Sequence, residues 1–486
     1  MGNFTFSEGG NWSIEGLALI FLIVYVLIGR IAKFYAFESN AHIFRSRPVV
    51  QVVVMGDIGR SPRMQYHALS LVDAGCQVDL IGYAETTPNI RVTLSRNIRI
   101  RPLRQAWSIP EGKPKLFYLL WAPFKALFVA VQLLWIMGGV TQYPDFIFMQ
   151  NPPAIPTLVI AQFISWARNA WLVIDWHNFG YSMLAMKFGK DHRIVEFAKW
   201  YEQKFGHKAY AHLTVTDKMK AELTSWGVRG KLITFKDRPM AHFDKLTIER
   251  QHDLLARLKL EELIKSQNLN ADEFVGSLDA ETTILTQKEN GVVKYRNDRI
   301  RMIISSTSWT EDEDFQLLLD AVSKYEDRAR GQPTSKYPKL LFVITGKGPL
   351  KSHYEELISK MSLNRTRIIT VWLESVDYPL LLGTADLGVS LHKSTSGMDL
   401  PMKVVDMFGC GLPACAVNFE CLNELVHHGE NGMVFDTSDE LESQFEELFA
   451  QDGEKLKQLA KNVQEEYKNQ SWEIQWKEKL PQLFID

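Results

Sequence analysis

Only four cysteines, Cys76, Cys410, Cys415 and Cys421, occur in 486 residues, and no two of them form a C-x-x-C pair or a zinc-ligand spacing. That excludes a disulfide-built secreted fold and a zinc ribbon, and fits reduced thiols in a cytosolic core. Neither sign of charge is in excess: 55 Lys and Arg stand against 57 Asp and Glu, a formal net charge of −2. A general nucleic-acid binder would carry a clear basic surplus, so that class is excluded. The first residues have no basic start and no small-residue cleavage site, so a cleaved signal peptide is not expected.

What is there begins with length, because 486 residues exceed one ordinary core and imply two large domains. Gly16–Gly29, GLALIFLIVYVLIG, is apolar without a break. Arg30 and Lys33 can snorkel, so the span extends to about Phe37. The positive residues Arg30, Lys33, Arg45 and Arg47 all follow it, which puts the N-terminus outside the cytosol and the rest inside. Residues 1–37 thus read as a lumenal tail and transmembrane signal anchor, with N-glycosylation sequons at Asn3 and Asn11. A second apolar stretch, Leu116–Met137, carries Lys125 as its one charge. A span there would split the following domain across the membrane, so a helix in the interface or in the core is expected.

From Val49 the chain alternates strands and helices. Val49–Gly56 is a β-branched run suited to a central parallel strand buried on both faces. A helix is expected at Met64–Ala74, strands at Gln77–Tyr83, Asn97–Pro102, Asp145–Gln150, Trp171–Asp175 and Leu213–Thr216, and a long helix near Arg193–His207. Residues 48–247 therefore read as a Rossmann-like domain. Residues 248–298 are polar and charge-rich and read as a surface insertion or linker. Alternation resumes over 299–471, with strands at Arg301–Ser306, Leu340–Thr345, Ile368–Trp372, Leu387–Leu391, Ala414–Val417 and Met433–Phe435, and a helix at Glu311–Tyr325. The fold class is α/β, two doubly wound Rossmann-like domains facing a cleft, with a last helix at 472–486 placed to cross back to the first.

The most informative stretch is Ser394–Pro413, STSGMDLPMKVVDMFGCGLP. A polar loop leads into a short helix, with Pro401 suited to its first turn. The free amides of that turn and the helix dipole make an anion site. Lys403 and Asp406 share one face, and Val404, Met407 and Phe408 mark the other. The same spacing also fits an ordinary surface ion pair. Gly346, Lys347 and Gly348 form a second phosphate-friendly turn, or a tight turn with a solvated lysine. Ser306–Trp309 and Glu311–Asp314 close the pocket or simply cap a helix.

The run His392–Phe435 resembles the donor-binding region of the GT-B glycosyltransferases, and more narrowly of the β-mannosyltransferases that act on dolichol-diphosphate chitobiose. GDIGRSPRMQYHALSL from Gly56, VIDWHNFGYS from Val173 and SSTSWTEDEDF from Ser305 are similar to the same family. The resemblance implies inverting transfer of the first β-1,4-mannose from GDP-mannose to GlcNAc2-PP-dolichol on the cytosolic face of the endoplasmic reticulum membrane. It implies partnership with the mannosyltransferases that add the next mannoses. It also implies no obligatory cofactor, though Mg2+ or Mn2+ could stimulate. By resemblance Asp406 takes the ribose hydroxyls, and Lys403, Ser396 and the amides after Gly397 take the diphosphate. Asp399, Leu400, Pro401, Gly346, Lys347 and Ser306 complete the expected donor site. Many retaining relatives carry a Glu eight residues before the ribose acid. Here that position is Met398, with Asp399 beside it, which argues for the inverting branch.

An inverting displacement needs a base for the acceptor hydroxyl. Asp57, in the loop after the first strand, is the first choice, and a turn aspartate bonding its own backbone is the alternative. His177 is the second, with a structural histidine as its alternative. Gly56, Gly59, Arg60 and Arg63 are expected around the acceptor diphosphate, where arginine forks match phosphate oxygens. Two other readings stay open: a GT-B transferase of another nucleotide sugar to a polyprenyl-diphosphate acceptor, and an inactive membrane scaffold.

Overall fold

The computed structural model describes residues 47–106, 115–267, 271–311, 313–374, 376–394 and 396–484. The expected anchor at 1–37, with Asn3 and Asn11, lies outside the described residues. The chain divides into two compact units, Met1–Val173 and Ile174–Asp486.

Seven strands form the first sheet: β1 (Val49–Asp57), β2 (Gln77–Tyr83), β3 (Ile98–Pro102), β4 (Phe146–Asn151), β5 (Trp171–Trp176), β6 (Lys208–Thr214) and β7 (Arg229–Thr234). Their order is β3-β2-β1-β4-β5-β6-β7. β1 runs parallel to β2 and β4, and its residues 49–54 are buried, as a β-branched central strand requires. The one polar residue in that run, Gln51, is matched through its amide nitrogen, while its buried Oε1 has no partner among the described residues. Its amide donates to Met137 O (2.9 Å) and Thr141 Oγ1 (2.7 Å). Those bonds pin the end of the apolar helix Lys115–Trp135, which continues as a wider turn over Ile136–Val140. Val129, Leu133 and Met137 are buried, while Phe124, Leu127, Val131, Leu134 and Trp135 face outward. Trp121–Val140 is long and apolar enough to cross a bilayer, yet one of its faces packs in the fold.

β7 was not expected from the sequence. Its first three residues, Arg229, Gly230 and Lys231, are exposed at the sheet edge, so it lacks the apolar run that marks a buried strand.

The segment read as a surface insertion is folded. It forms helices Ile248–Leu258, Leu260–Gln267 and Ala271–Val275 and a hairpin of β8 (Thr286–Glu289) and β9 (Val292–Tyr295). Leu254, Leu255, Leu260, Ile264 and Phe274 are buried, because its apolar residues recur at helical spacing among the charges. Gln267 exchanges two hydrogen bonds with the backbone of Thr370, and Arg257 forks onto Asp377 at 3.0 and 2.6 Å. The segment thereby covers the edge of the second sheet.

That sheet contains β10 (Arg301–Ser306), β11 (Leu340–Thr345), β12 (Thr366–Val371), β13 (Leu387–Ser390), β14 (Ala414–Val417) and β15 (Gly432–Phe435), all parallel, in the order β12-β11-β10-β13-β14-β15. The order reverses at β10, and open parallel sheets bind ligands at the carboxyl ends beside such a switch point. Helices Ser438–Phe449 and Glu454–Tyr467 follow. The last helix, Trp472–Lys479, returns to the end of β7. Trp472 N donates to Pro239 O (2.9 Å), Gln475 Nε2 to Lys236 O (2.7 Å) and Lys479 Nζ to Thr234 O (3.1 Å).

Candidate active site

At the carboxyl end of β13, the loop from Leu391 to Leu400 is organised around one carboxylate. Asp399 accepts from the Ser394 hydroxyl, from Ser396 Oγ (3.3 Å) and from Asn178 Nδ2 (3.0 Å), with His392 Nε2 at 3.7 Å. Gly397 takes a left-handed φ of 71°, which permits the turn. Ser396 Oγ also accepts from Met398 N (3.2 Å), so its hydroxyl serves the loop. Thr395 lies outside the described residues.

The helix after this loop is Met402–Gly409, one residue later than expected, because Pro401 keeps an extended ψ of 109° and stands as its cap. Leu400 and Pro401 are buried, as are Val404, Val405, Met407 and Phe408. Gly388 of β13 lets this face close, since a Cβ there would lie 2.4 Å from the Met407 sulfur. On the opposite face Lys403 pairs with Glu313, a side chain 2% exposed. Glu313 also accepts from Thr307 Oγ1 and Ser308 N, each at 2.5 Å. The helix expected from Glu311 therefore begins only at Gln316: the backbone at Glu313 is extended, bridging to His392, and its carboxylate serves the loop instead. Asp406 is half-buried, and its surroundings push the carboxyl well above the ordinary carboxylate range. Desolvation is the main cause, and the neighbouring Asp237 carboxylate adds to it.

The second expected phosphate turn is shaped by close packing. A Cβ on Gly346 would sit 1.8 Å from Thr307 O, and one on Gly348 equally close to Ser308 O. Lys347 is exposed, and its ammonium lies over the exposed Trp372 ring, 3.8 Å from its centroid, so it is a solvated cation that also stacks on an aromatic face. Ser306 Oγ donates to Tyr378 OH (3.1 Å) and accepts from Thr345 (3.2 Å).

β5 ends in a dyad. Asp175 is fully buried, and its Oδ2 lies 2.8 Å from His177 Nε2. Two residues apart on an extended chain, they share a face. Asn178 follows and carries the bond to Asp399, which joins the end of β5 to the loop after β13. Thr216 Oγ1 adds a second tie, to Met398 O (2.6 Å). By contrast His212, buried within β6, is driven down to about 4 by desolvation and stays neutral, accepting from Trp176 Nε1 (3.2 Å).

In the other unit, Asp57 holds a turn. Its Oδ1 accepts from Glu85 N (3.0 Å) and Thr86 N (3.1 Å), its Oδ2 takes the Thr86 hydroxyl, and Arg60 Nε stands at 3.5 Å. Burial acts to raise this carboxyl, but hydrogen bonds from the Thr86 side chain, Thr86 N, Glu85 N and Gly59 N together hold it below the usual range. Asp57 stands at the carboxyl end of β1, as expected, but a carboxylate so engaged is a weaker proton acceptor, which counts against it as the base. Gly59 is required by the same contact, because a Cβ would lie 2.3 Å from Thr86 Oγ1. Gly56 is half-buried at the end of β1. Arg60 is exposed, but Arg63 is buried in helix Pro62–Asp73, so the structure keeps only one of the two expected arginines at the surface.

The four thiols are buried and free, and burial pushes each of them up, Cys76 to about 11 and Cys421 to about 12, as inert core cysteines require. Among the described residues no cluster of three His, Cys, Asp or Glu could hold a metal ion. Sequence reasoning missed Asp175, Asp237 and the partner role of Glu313. The i,i+2 spacing of Asp175 and His177 was a usable signal, whereas Glu313 and Lys403 are brought together only by the fold.

Residues 59–235 match the family described as glycosyl transferase 4-like domain, and 287–466 match glycosyl transferases group 1. The chain is 43% identical over 466 residues to chitobiosyldiphosphodolichol beta-mannosyltransferase of Mus musculus, covering 95% of this chain and 92% of that protein. It is 42% identical over 415 residues to UDP-glycosyltransferase TURAN of Arabidopsis thaliana, covering 82% and 88%. Among solved structures, the sucrose-phosphate synthase of Thermosynechococcus elongatus superposes with a TM-score of 0.58 at 15% identity, over 90% of this chain and 99% of that one, a likeness of fold. The chain therefore belongs to the chitobiosyldiphosphodolichol beta-mannosyltransferase family, within the GT-B group 1 glycosyltransferases.

Proposed function

We propose that this enzyme transfers the first β-1,4-mannose from GDP-mannose to GlcNAc2-PP-dolichol, with inversion, in the assembly of the lipid-linked precursor of protein N-glycosylation. The observation that carries the reading is the Asn178–Asp399 bond, which ties the Asp175–His177 dyad to the loop and helix bearing Lys403 and Asp406. In the proposed step the acceptor hydroxyl oxygen bonds to mannose C1 while the C1–O bond to the diphosphate breaks. The hydroxyl proton passes to His177 Nδ1, the ring nitrogen left free when Nε2–H donates to Asp175. GDP leaves toward Lys403 and the amide end of helix Met402–Gly409, which supply positive charge without an obligatory metal. Asp406, short of donors, receives the ribose hydroxyls.

Attachment to the endoplasmic reticulum membrane is supported by the outward apolar face of helix Lys115–Trp135. Separately, Met183, Met186, Phe188, Ile194, Phe197 and Trp200 are exposed in the other unit. The anchor at 1–37, with the catalytic unit cytosolic, belongs to the same proposal.

A second reading is favoured by the Arabidopsis relative, which is named as a UDP-glycosyltransferase. The test is a donor-by-acceptor assay of purified protein. GDP-mannose, UDP-glucose and UDP-N-acetylglucosamine are each offered with phytanyl-diphosphate chitobiose, with and without EDTA, and the product anomer is read by NMR. A β-mannosyl product with GDP-mannose alone, surviving EDTA, is expected. A product with a UDP sugar would transfer the case to the second reading. A folded, GDP-binding sample without any product would favour a scaffold.

A further inference from the structure

A negative charge at the heart of an anion-binding site requires an explanation. Glu313 is almost fully buried, and its two oxygens serve three donors from two places in the fold: Lys403 Nζ on one side, Thr307 Oγ1 and Ser308 N on the other. Its backbone bridges to His392, at the start of the loop that Asp399 organises. One side chain therefore fixes the strand-end loop after β10 relative to the helix Met402–Gly409, and it does so through the ammonium assigned to the leaving diphosphate.

A lysine ammonium has three N–H donors on a flexible four-carbon stem. Held by Glu313 and, at 3.5 Å, by Ser308 Oγ, it still offers one N–H to a phosphate oxygen, in a direction set by these two partners. We propose that Glu313 is a positioning residue for the transfer. It aims Lys403 at the diphosphate and, by cancelling one positive charge in the empty site, keeps GDP from binding too tightly after the sugar has left. This rests on Lys403 being a diphosphate ligand. Glu313 itself does not touch the donor.

Glu313→Gln is the informative change, since the amide oxygen still accepts from Thr307 and Ser308 while the charge facing Lys403 is lost. Expected are an unchanged thermal midpoint, a kcat lowered about tenfold, and a GDP inhibition constant that falls, because a like charge to the product has gone. Glu313→Asp should recover part of kcat. In a double-mutant cycle, Glu313→Gln added to Lys403→Ala should cost nothing further, since its effect passes through the lysine. The proposal is overturned by a wild-type kcat in Glu313→Gln, by additive losses in the cycle, or by a weakening of GDP parallel to the loss of kcat, the mark of a structural role. Failure of the underlying reading looks different: Lys403→Ala would then leave both the KM for GDP-mannose and GDP inhibition unchanged.

Discussion

Asp57 and Asp406 each lie at the carboxyl-end side of a parallel sheet, and each was assigned to chemistry by its place in the sequence. Asp57 meets the Thr86 hydroxyl and the amides of Thr86, Glu85 and Gly59, hydrogen bonds that together overcome its burial and keep it ionised. Asp406 meets desolvation and a second carboxylate, and its proton is held tightly. A carboxylate whose lone pairs are filled by its own fold is a structural part. One left short of donors is suited to a ligand that brings hydroxyls.

The sharpest way to test this contrast is at the base. His177→Ala should lower kcat by about 10²–10⁴-fold, the usual worth of general base catalysis, in single-turnover assays. Folded Asp57→Asn should keep turnover within about fivefold of the parent, far inside the range a lost general base would produce. A reversal of that order would return Asp57 to the mechanism. Next in size, Asp406→Ala should raise the KM for the donor by about 10–100-fold, the worth of one or two hydrogen bonds to a charged or polar group. The variant should leave the pH dependence of kcat intact. If acceptor KM moved instead, Asp406 would not be the ribose ligand.

Stability gives the smaller effects. Asp57→Ala leaves the amides of Glu85 and Thr86 without their acceptor and should cost about 1–3 kcal/mol in urea unfolding. The two aspartates should also respond oppositely to pH. Asp57 has a lowered folded-state pKa, so its contribution is present above the unfolded value and is lost as pH falls through the folded one. Asp406 has a raised one, so its contribution is complete below the unfolded value and is lost as pH rises through the folded one. Asp406→Asn should therefore flatten the fall in thermal midpoint on the neutral side of the profile, and Asp57→Asn the fall on the acid side.

Much of the fold was legible because buried parallel strands announce themselves. The Val49–Val54 run and Leu340–Thr345 could be little else, and both are buried throughout. The edge strand Arg229–Thr234 was not legible, since a strand that buries little carries little pattern. At the site, the helix after Pro401 and its two faces could be read from local spacing. Glu313 could not, because its meaning depends on Lys403, ninety positions away. His177 was read as a candidate. Its orienting partner, two residues earlier, was hidden by looking apolar in company: Asp175 sits in the strand run VIDW.

The return of the last helix reaches beyond the chemistry. Trp472, Gln475 and Lys479 are bonded to Pro239, Lys236 and Thr234. A stop codon after residue 471 would therefore remove little of the chain's length and none of the residues assigned to the donor. It would still unfasten the segment that follows β7 in the middle of the gene. Late nonsense alleles should behave as folding defects of the whole protein and not as trimmed but working enzymes.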